Sequence, residues 1–361
     1  MKQGLYIEKN SDTIYSYRTY TGRKLVIGLF LLVMVFVLSI LAINAGSAKL
    51  NPYDILKSII GKGTDTSNIV IWRIRLPRIL GAIIAGTGLA VSGCVMQNNL
   101  RNPLASPSTL GISSAAAFGA NIAIIVLGAG SIQSLSADAV IINNPYLVTI
   151  SAFICSVIAM LIVLMLAKLR GSLPETIVLA GVALSSLFSA GTTLIQYFAD
   201  DVEVAAAVFW TFGDLGRISW KEVYIMIVII SLSLIYFMLR RWDYNALNSG
   251  EEAAKSLGVN VERVRLGGLL VSSIVTAVAV SFLGIIGFIG LIAPQIMRRL
   301  IGGDHRFLIP MSAITGAVLL LFSDTLARTI IAPIILPVGA ITSFFGAPLF
   351  LYLLLRGYKK K

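Results

Sequence analysis

Residue types that carry chemistry are scarce in this 361-residue chain, which has one histidine, His305, and two cysteines, Cys94 and Cys155. A metal centre needs three or four clustered His, Cys or carboxylate ligands, and no such cluster is present in the sequence. No nucleophile stands beside a base within an apolar run. The Gly61-Lys62-Gly63-Thr64 stretch lacks the upstream glycine of a phosphate-binding loop. Bond-making catalysis, a resident metal or other cofactor, and nucleotide hydrolysis by this chain are therefore not expected. The two cysteines lie inside apolar runs and are expected to be reduced and buried.

What the sequence offers instead is charge and polarity in apolar surroundings. Asp324 is the only carboxylate well inside a predicted apolar run, and Arg328 follows it by four residues. On a helix the two can pair; alternatively, Asp324 couples protons. Arg73, Arg75 and Arg78 crowd the start of another run. They are either long side chains snorkelling to an interface or an external docking site for an acidic partner. Ser185, Ser189, Thr192 and Gln196 recur at i, i+4, i+7 and i+11, so they share one helix face. Such a stripe faces protein or water rather than lipid, either bonding to a neighbouring helix or lining a cavity.

These residues must be positioned by membrane helices. The chain is 57% hydrophobic and only 13% charged, and runs such as Leu25–Ile43 and Leu147–Ala167 contain no charge. Apolar runs broken by charges or Gly, Pro and Asn clusters predict an all-α integral membrane protein of about ten spans. These are 25–44, 79–97, 112–128, 146–167, 176–197, 223–239, 267–286, 287–301, 308–327 and 334–355. The seventh and eighth run together through Gly284, Gly287 and Gly290, and Pro294 interrupts the eighth. Residues 1–24 read as a cytoplasmic tail before an uncleaved first span, and 25–361 as one transmembrane domain. The net charge of +12 would suggest nucleic acid on a soluble chain, but here its distribution decides. With the N-terminus inside, inner segments hold 20 of the 29 Lys and Arg, which places both termini in the cytoplasm. No loop is long enough for a nucleotide-binding domain. The longest inner connection, 240–265, contains a short helix punctuated by Gly250 and Gly258, with Glu251 near its start. It is either a surface helix or a lever for a cytoplasmic partner.

From about Ile69 to Arg356 the chain resembles the permease subunits of type II ABC importers, the iron-siderophore, haem and cobalamin group. The resemblance rests on Arg75-Leu-Pro-Arg78, on Ser92-Gly-Cys-Val-Met-Gln97 followed by Arg101-Asn-Pro-Leu-Ala-Ser-Pro107, and on Leu179-Ala-Gly-Val-Ala183. It continues through Gly284-Ile-Ile-Gly-Phe-Ile-Gly-Leu-Ile-Ala-Pro294, Asp304-His-Arg306, Ser323-Asp-Thr-Leu-Ala-Arg328, Leu336-Pro-Val-Gly339 and Gly346-Ala-Pro348. It implies a ten-helix fold in which helices 2–5 and 7–10 are inverted repeats. It also implies a second permease subunit, a cytoplasmic ABC ATPase dimer and an external substrate-binding protein. Carried over by position, Arg75, Arg78 and Arg328 would dock the binding protein. Gly250, Glu251, Ala254, Leu257 and Gly258 would couple to the ATPase, and the fifth span would line the pathway. Pro174 and Glu175 fall near the inner gate, where the family carries small hydroxyl residues instead. The expected cargo is an iron-siderophore complex, with haem and cobalamin as alternatives. The competing reading is an ion-coupled secondary transporter; a membrane-bound enzyme is disfavoured by the missing catalytic groups.

Overall fold

The computed structural model describes residues 2–45, 51–129, 144–169 and 173–355. Arg170 and the basic run Arg356–Lys361, both counted as inner cations, lie outside the described residues. The described chain contains helices and no strands. In order they are α1 (Lys2–Asn44), α2 (Pro52–Ile59), α3 (Asp65–Asn68), α4 (Leu76–Asn99), α5 (Ile112–Asn121), α6 (Pro145–Leu169), α7 (Pro174–Tyr197) and α8 (Asp201–Thr211). There follow α9 (Trp220–Leu239), α10 (Arg241–Asn248), α11 (Glu251–Ser256), α12 (Val261–Leu283), α13 (Ile289–Ile301), α14 (His305–Thr329) and α15 (Val338–Leu355). A π-helical stretch, Ile69–Arg75, joins α3 to α4, and a second, Ile122–Val126, extends α5.

All ten predicted spans fall on helices, but not all of those helices are full spans. Seven are long and apolar enough to cross a membrane, and Ile112–Val126 and Val338–Leu353 are shorter apolar helices. The eighth predicted span is the 13-residue α13. At 1.5 Å per residue it is about 20 Å long, short of a hydrocarbon core about 30 Å thick. The break falls between Gly284 and Phe288. Gly284 leaves α12 with φ +76, and α13 starts only after Phe288, itself left-handed at φ 66.

The central element is α4. It packs along α14, α12, α13 and α9, and 78% of its apolar window is buried. Two of these contacts need glycine. A Cβ on Gly86 would lie 2.3 Å from the carbonyl oxygen of Gly316 in α14, and one on Gly93 would lie 1.8 Å from that of Gly290 in α13. The helices thus touch backbone to backbone, the close approach that small residues permit in membranes. Partner exchange relates the two halves: α5 packs on α6 and α7 as α13 packs on α14 and α15, while α4 crosses to α14 as α12 crosses to α6. Two repeats related by a two-fold axis produce this pattern. At the other extreme, α1 and α7 are only 22% and 17% buried.

Candidate functional site

Three groups of residues stand out, and the first gathers the arginines expected to dock a partner. Arg75, Arg78 and Arg328 are 4%, 5% and 7% exposed. Arg78 Nε donates to Asp324 Oδ1 at 2.8 Å, and Arg328 Nε donates to Asp324 Oδ2 at 3.1 Å. The second nitrogen of Arg78 also lies 3.6 Å from Asp214, in the connection between α8 and α9. Arg328 Nη1 donates to the carbonyl of Ala45 at 2.9 Å, and Arg75 donates to that of Ile43. The last carbonyls of a helix have no intrahelical donor, and α1 has no basic residue in its final turn. Arg75 and Arg328 supply the missing donors. Asp324 is fully buried and pairs with both repeats at once, so the carboxylate considered for proton coupling is held between two guanidinium groups. These side chains face inward. Arg73, in the same run, is exposed.

The second group is the polar stripe on α7, which the structure divides. Gln196 Nε2 donates to Asn121 Oδ1 at 2.9 Å, tying α7 to the buried end of α5. Thr192 and Thr193 return their hydroxyls to the backbone at Phe188 and Ser189. Ser185 is half-buried, whereas Ser186, Ser189 and Thr193 are exposed. Gln196 therefore packs, and the open polar positions are Ser189 of the predicted stripe together with Ser186 and Thr193 one step round the helix. Pro174 occupies the first turn of α7 and Glu175 is exposed beside it. Neither is brought to the other candidate residues, and 170–172, before them, lie outside the described residues.

The third group is the coupling segment. Gly250 (φ +119) and Gly258 (φ +81) bracket α11 in conformations that favour glycine. Ala254 is fully buried and Leu257 is 71% exposed, so the helix shows one face to the protein and one to the outside. Glu251 is bonded to Arg265 of α12 at 2.5 Å. That bond holds the Glu251 carboxyl below the ordinary carboxylate range, against the effect of its partial burial. Arg265 also donates to the carbonyl of Asn99 at the end of α4 at 3.0 Å. Sequence reasoning missed Arg265, Asn99 and their neighbours in α10. Asn245 Nδ2 donates to Asp304 at 2.9 Å, and Asn248 Nδ2 donates to the carbonyl of Gly303 at 3.0 Å. Burial opposes ionisation of Asp304, but bonds from Arg306 and Asn245 bring its carboxyl down to about 2. The paired asparagines Asn98 and Asn99, ending an apolar helix, were the available signal. The segment is thus fastened to the ends of α4, α12 and α14.

The profile of the FecCD transport family matches residues 31–356. The chain belongs to the FecCD transport family. A protein of Methanocaldococcus jannaschii, named as an ABC transporter permease, is 60% identical over 97% of this chain and 99% of its own length. The hemin transport system permease of Yersinia pestis is 38% identical over 92% of this chain and 96% of its own. The iron(3+)-citrate import permease of Bacillus subtilis is 36% identical over 92% and 95%. A solved inward-facing structure, described as an ABC transporter of metal-chelate type, matches with TM-score 0.78 at 30% identity. That match covers 92% of this chain and 99% of the other. As a FecCD protein, the chain is a multi-pass membrane permease subunit of an ABC importer and not an enzyme.

Proposed function

We propose that two copies of this chain, or this chain and a close paralogue, form the conduit of an ATP-driven importer for an iron chelate. A siderophore complex is the first cargo proposed, with haem and cobalamin behind it. Relatives named for hemin and iron(3+)-citrate, and a neighbour of metal-chelate type, support an iron chelate. The observation that carries the conduit is α7. Only 17% of its apolar window is buried, yet Ser186, Ser189 and Thr193 are exposed on it. Hydroxyls on an open helix face suit a partner subunit or a wet pathway better than lipid.

In this reading the ATPase grips α11. Leu257 is the side chain presented, and the Glu251–Arg265–Asn99 chain passes displacement of α11 to α12 and α4. An external binding protein docks at the opposite end. There Arg75, Arg78 and Arg328 act from behind, fixing the ends of α1, α4 and α14 beneath a rim that includes exposed Arg73.

The test is uptake into proteoliposomes containing the permease, its ATPase and the binding protein. Iron-labelled siderophore, hemin and cobalamin are supplied in parallel. ATP-dependent accumulation of the iron chelate is expected. Ser189→Trp should slow it without loss of assembly, and Leu257→Asp should weaken ATPase association. Accumulation driven by a proton or sodium gradient without ATP would instead establish a secondary transporter.

A further inference from the structure

A cavity of about 380 Å³ opens beside the coupling segment. Its wall includes Gln97, Asn98, Arg101, Asn248, Ser249 and Arg298. It therefore joins the end of α4, the Arg101-Asn-Pro turn, the residues entering α11, and α13. Gln97 and Asn98 are buried and form its floor. Arg101, Asn248 and Ser249 are exposed and form its rim. Arg101 is held at φ 45, a left-handed conformation uncommon for a non-glycine residue.

The charges here do not balance. Neighbouring carboxylates are already matched: Glu251 with Arg265, Asp243 with Arg240, and Asp304 with Arg306. Arg101 and Arg298 form no ion pair among the described residues, and no carboxylate lines the cavity. One terminal nitrogen of Arg298 is buried without a hydrogen-bond partner among the described residues. A buried donor of that kind is normally satisfied. Two guanidinium groups with no carboxylate in the wall make this polar cavity favourable for an anion.

We propose that this cavity receives an acidic side chain of the cytoplasmic ATPase, which pairs with Arg298 and Arg101 beside the coupling helix. The proposal rests on α11 being the ATPase contact. Because Asn248, Ser249 and Gly250 form part of the cavity wall, a partner seated on α11 covers its mouth. The same carboxylate would link the end of α4 to α13, one element from each repeat.

The test uses the assembled permease–ATPase complex in lipid nanodiscs, with the melting of every variant recorded. Arg101→Gln combined with Arg298→Gln is expected to weaken ATPase affinity at least ~10-fold, equivalent to about 1.4 kcal/mol. The salt dependence of association should become shallower, and Arg298→Lys should retain part of the affinity by keeping the charge. Unchanged affinity and salt dependence in the folded double variant overturn the proposal. Leu257→Asp separates the two ideas. If it weakens association while the arginine variants do not, the cavity proposal falls and the coupling reading stands; if neither does, both fall. Should the arginine variants fail to fold, Ser249→Cys is cross-linked to cysteines placed at acidic positions of the ATPase. Cross-links confined to such positions support the proposal, and their absence overturns it. A calorimetric titration of isolated permease with pyrophosphate is the remaining arm. Tight binding, lost in the double variant while ATPase affinity is unchanged, would make this a small-anion site and overturn the proposed occupant.

Discussion

Asp324 answers two guanidinium groups from helices that lie far apart in the chain. Its pairing with Arg328 follows from four-residue spacing on a helix. Its bond to Arg78 joins residues 246 positions apart, and no local pattern encodes that. Sequence therefore identified the arginines as unusual but not the direction in which they point. The energetic consequence is specific. Removing one partner of a buried ion pair strands the other and costs about 3–5 kcal/mol, whereas replacing the whole group with apolar residues is often neutral. Asp324→Asn should accordingly lower the melting point of the purified permease sharply. The triple change Arg78→Met, Asp324→Leu, Arg328→Met should recover part of that loss. A melting point unaffected by Asp324→Asn would remove the staple as a source of stability.

Among elements, existence was more legible than length. Among the described residues, hydropathy located the seven helices of membrane length and the shorter apolar helices Ile112–Val126 and Val338–Leu353, because a membrane span is written as a continuous run. It could not give the extent of α13, where the boundary depends on a left-handed Phe288 and a turn after Gly284. The coupling helix was legible because its two glycines punctuate it. The bonds that anchor it were not, since Asn245 and Asp304 are separated by 59 residues. The seam between α4 and α13 gives the sharpest test at this scale. Gly93→Ala would place a methyl 1.8 Å from a backbone oxygen, which cannot rotate away. The helices must then separate, and overpacking of this kind costs typically about 1–3 kcal/mol. Thermal melting should fall, and Gly287→Ala, where a Cβ would meet only the Ser343 hydroxyl at 3.4 Å, should be tolerated.

For the whole molecule, the distribution of Lys and Arg sets an orientation that chemical labelling can check. A cysteine at exposed Asp65, in a Cys155→Ser background, should react with an impermeant thiol reagent from outside. One at exposed Ser249 should react only after permeabilisation. External labelling at Ser249 would invert the topology and exchange the ends assigned to the ATPase and the binding protein. The glycine seams carry a further consequence. Helices meeting through bare backbone have no side chains between them to change rotamer and let one slide past the other. Gly86 against Gly316 and Gly93 against Gly290 therefore hold α4, α14 and α13 together as one rigid unit. The movement that transport needs is then expected in parts with fewer internal contacts, α7 among them. Amide hydrogen exchange should be slowest through α4 and α14 and should not change between nucleotide-bound and nucleotide-free transporter. The rates in α7 should change with each stroke, as expected of a helix that shifts against the rigid unit.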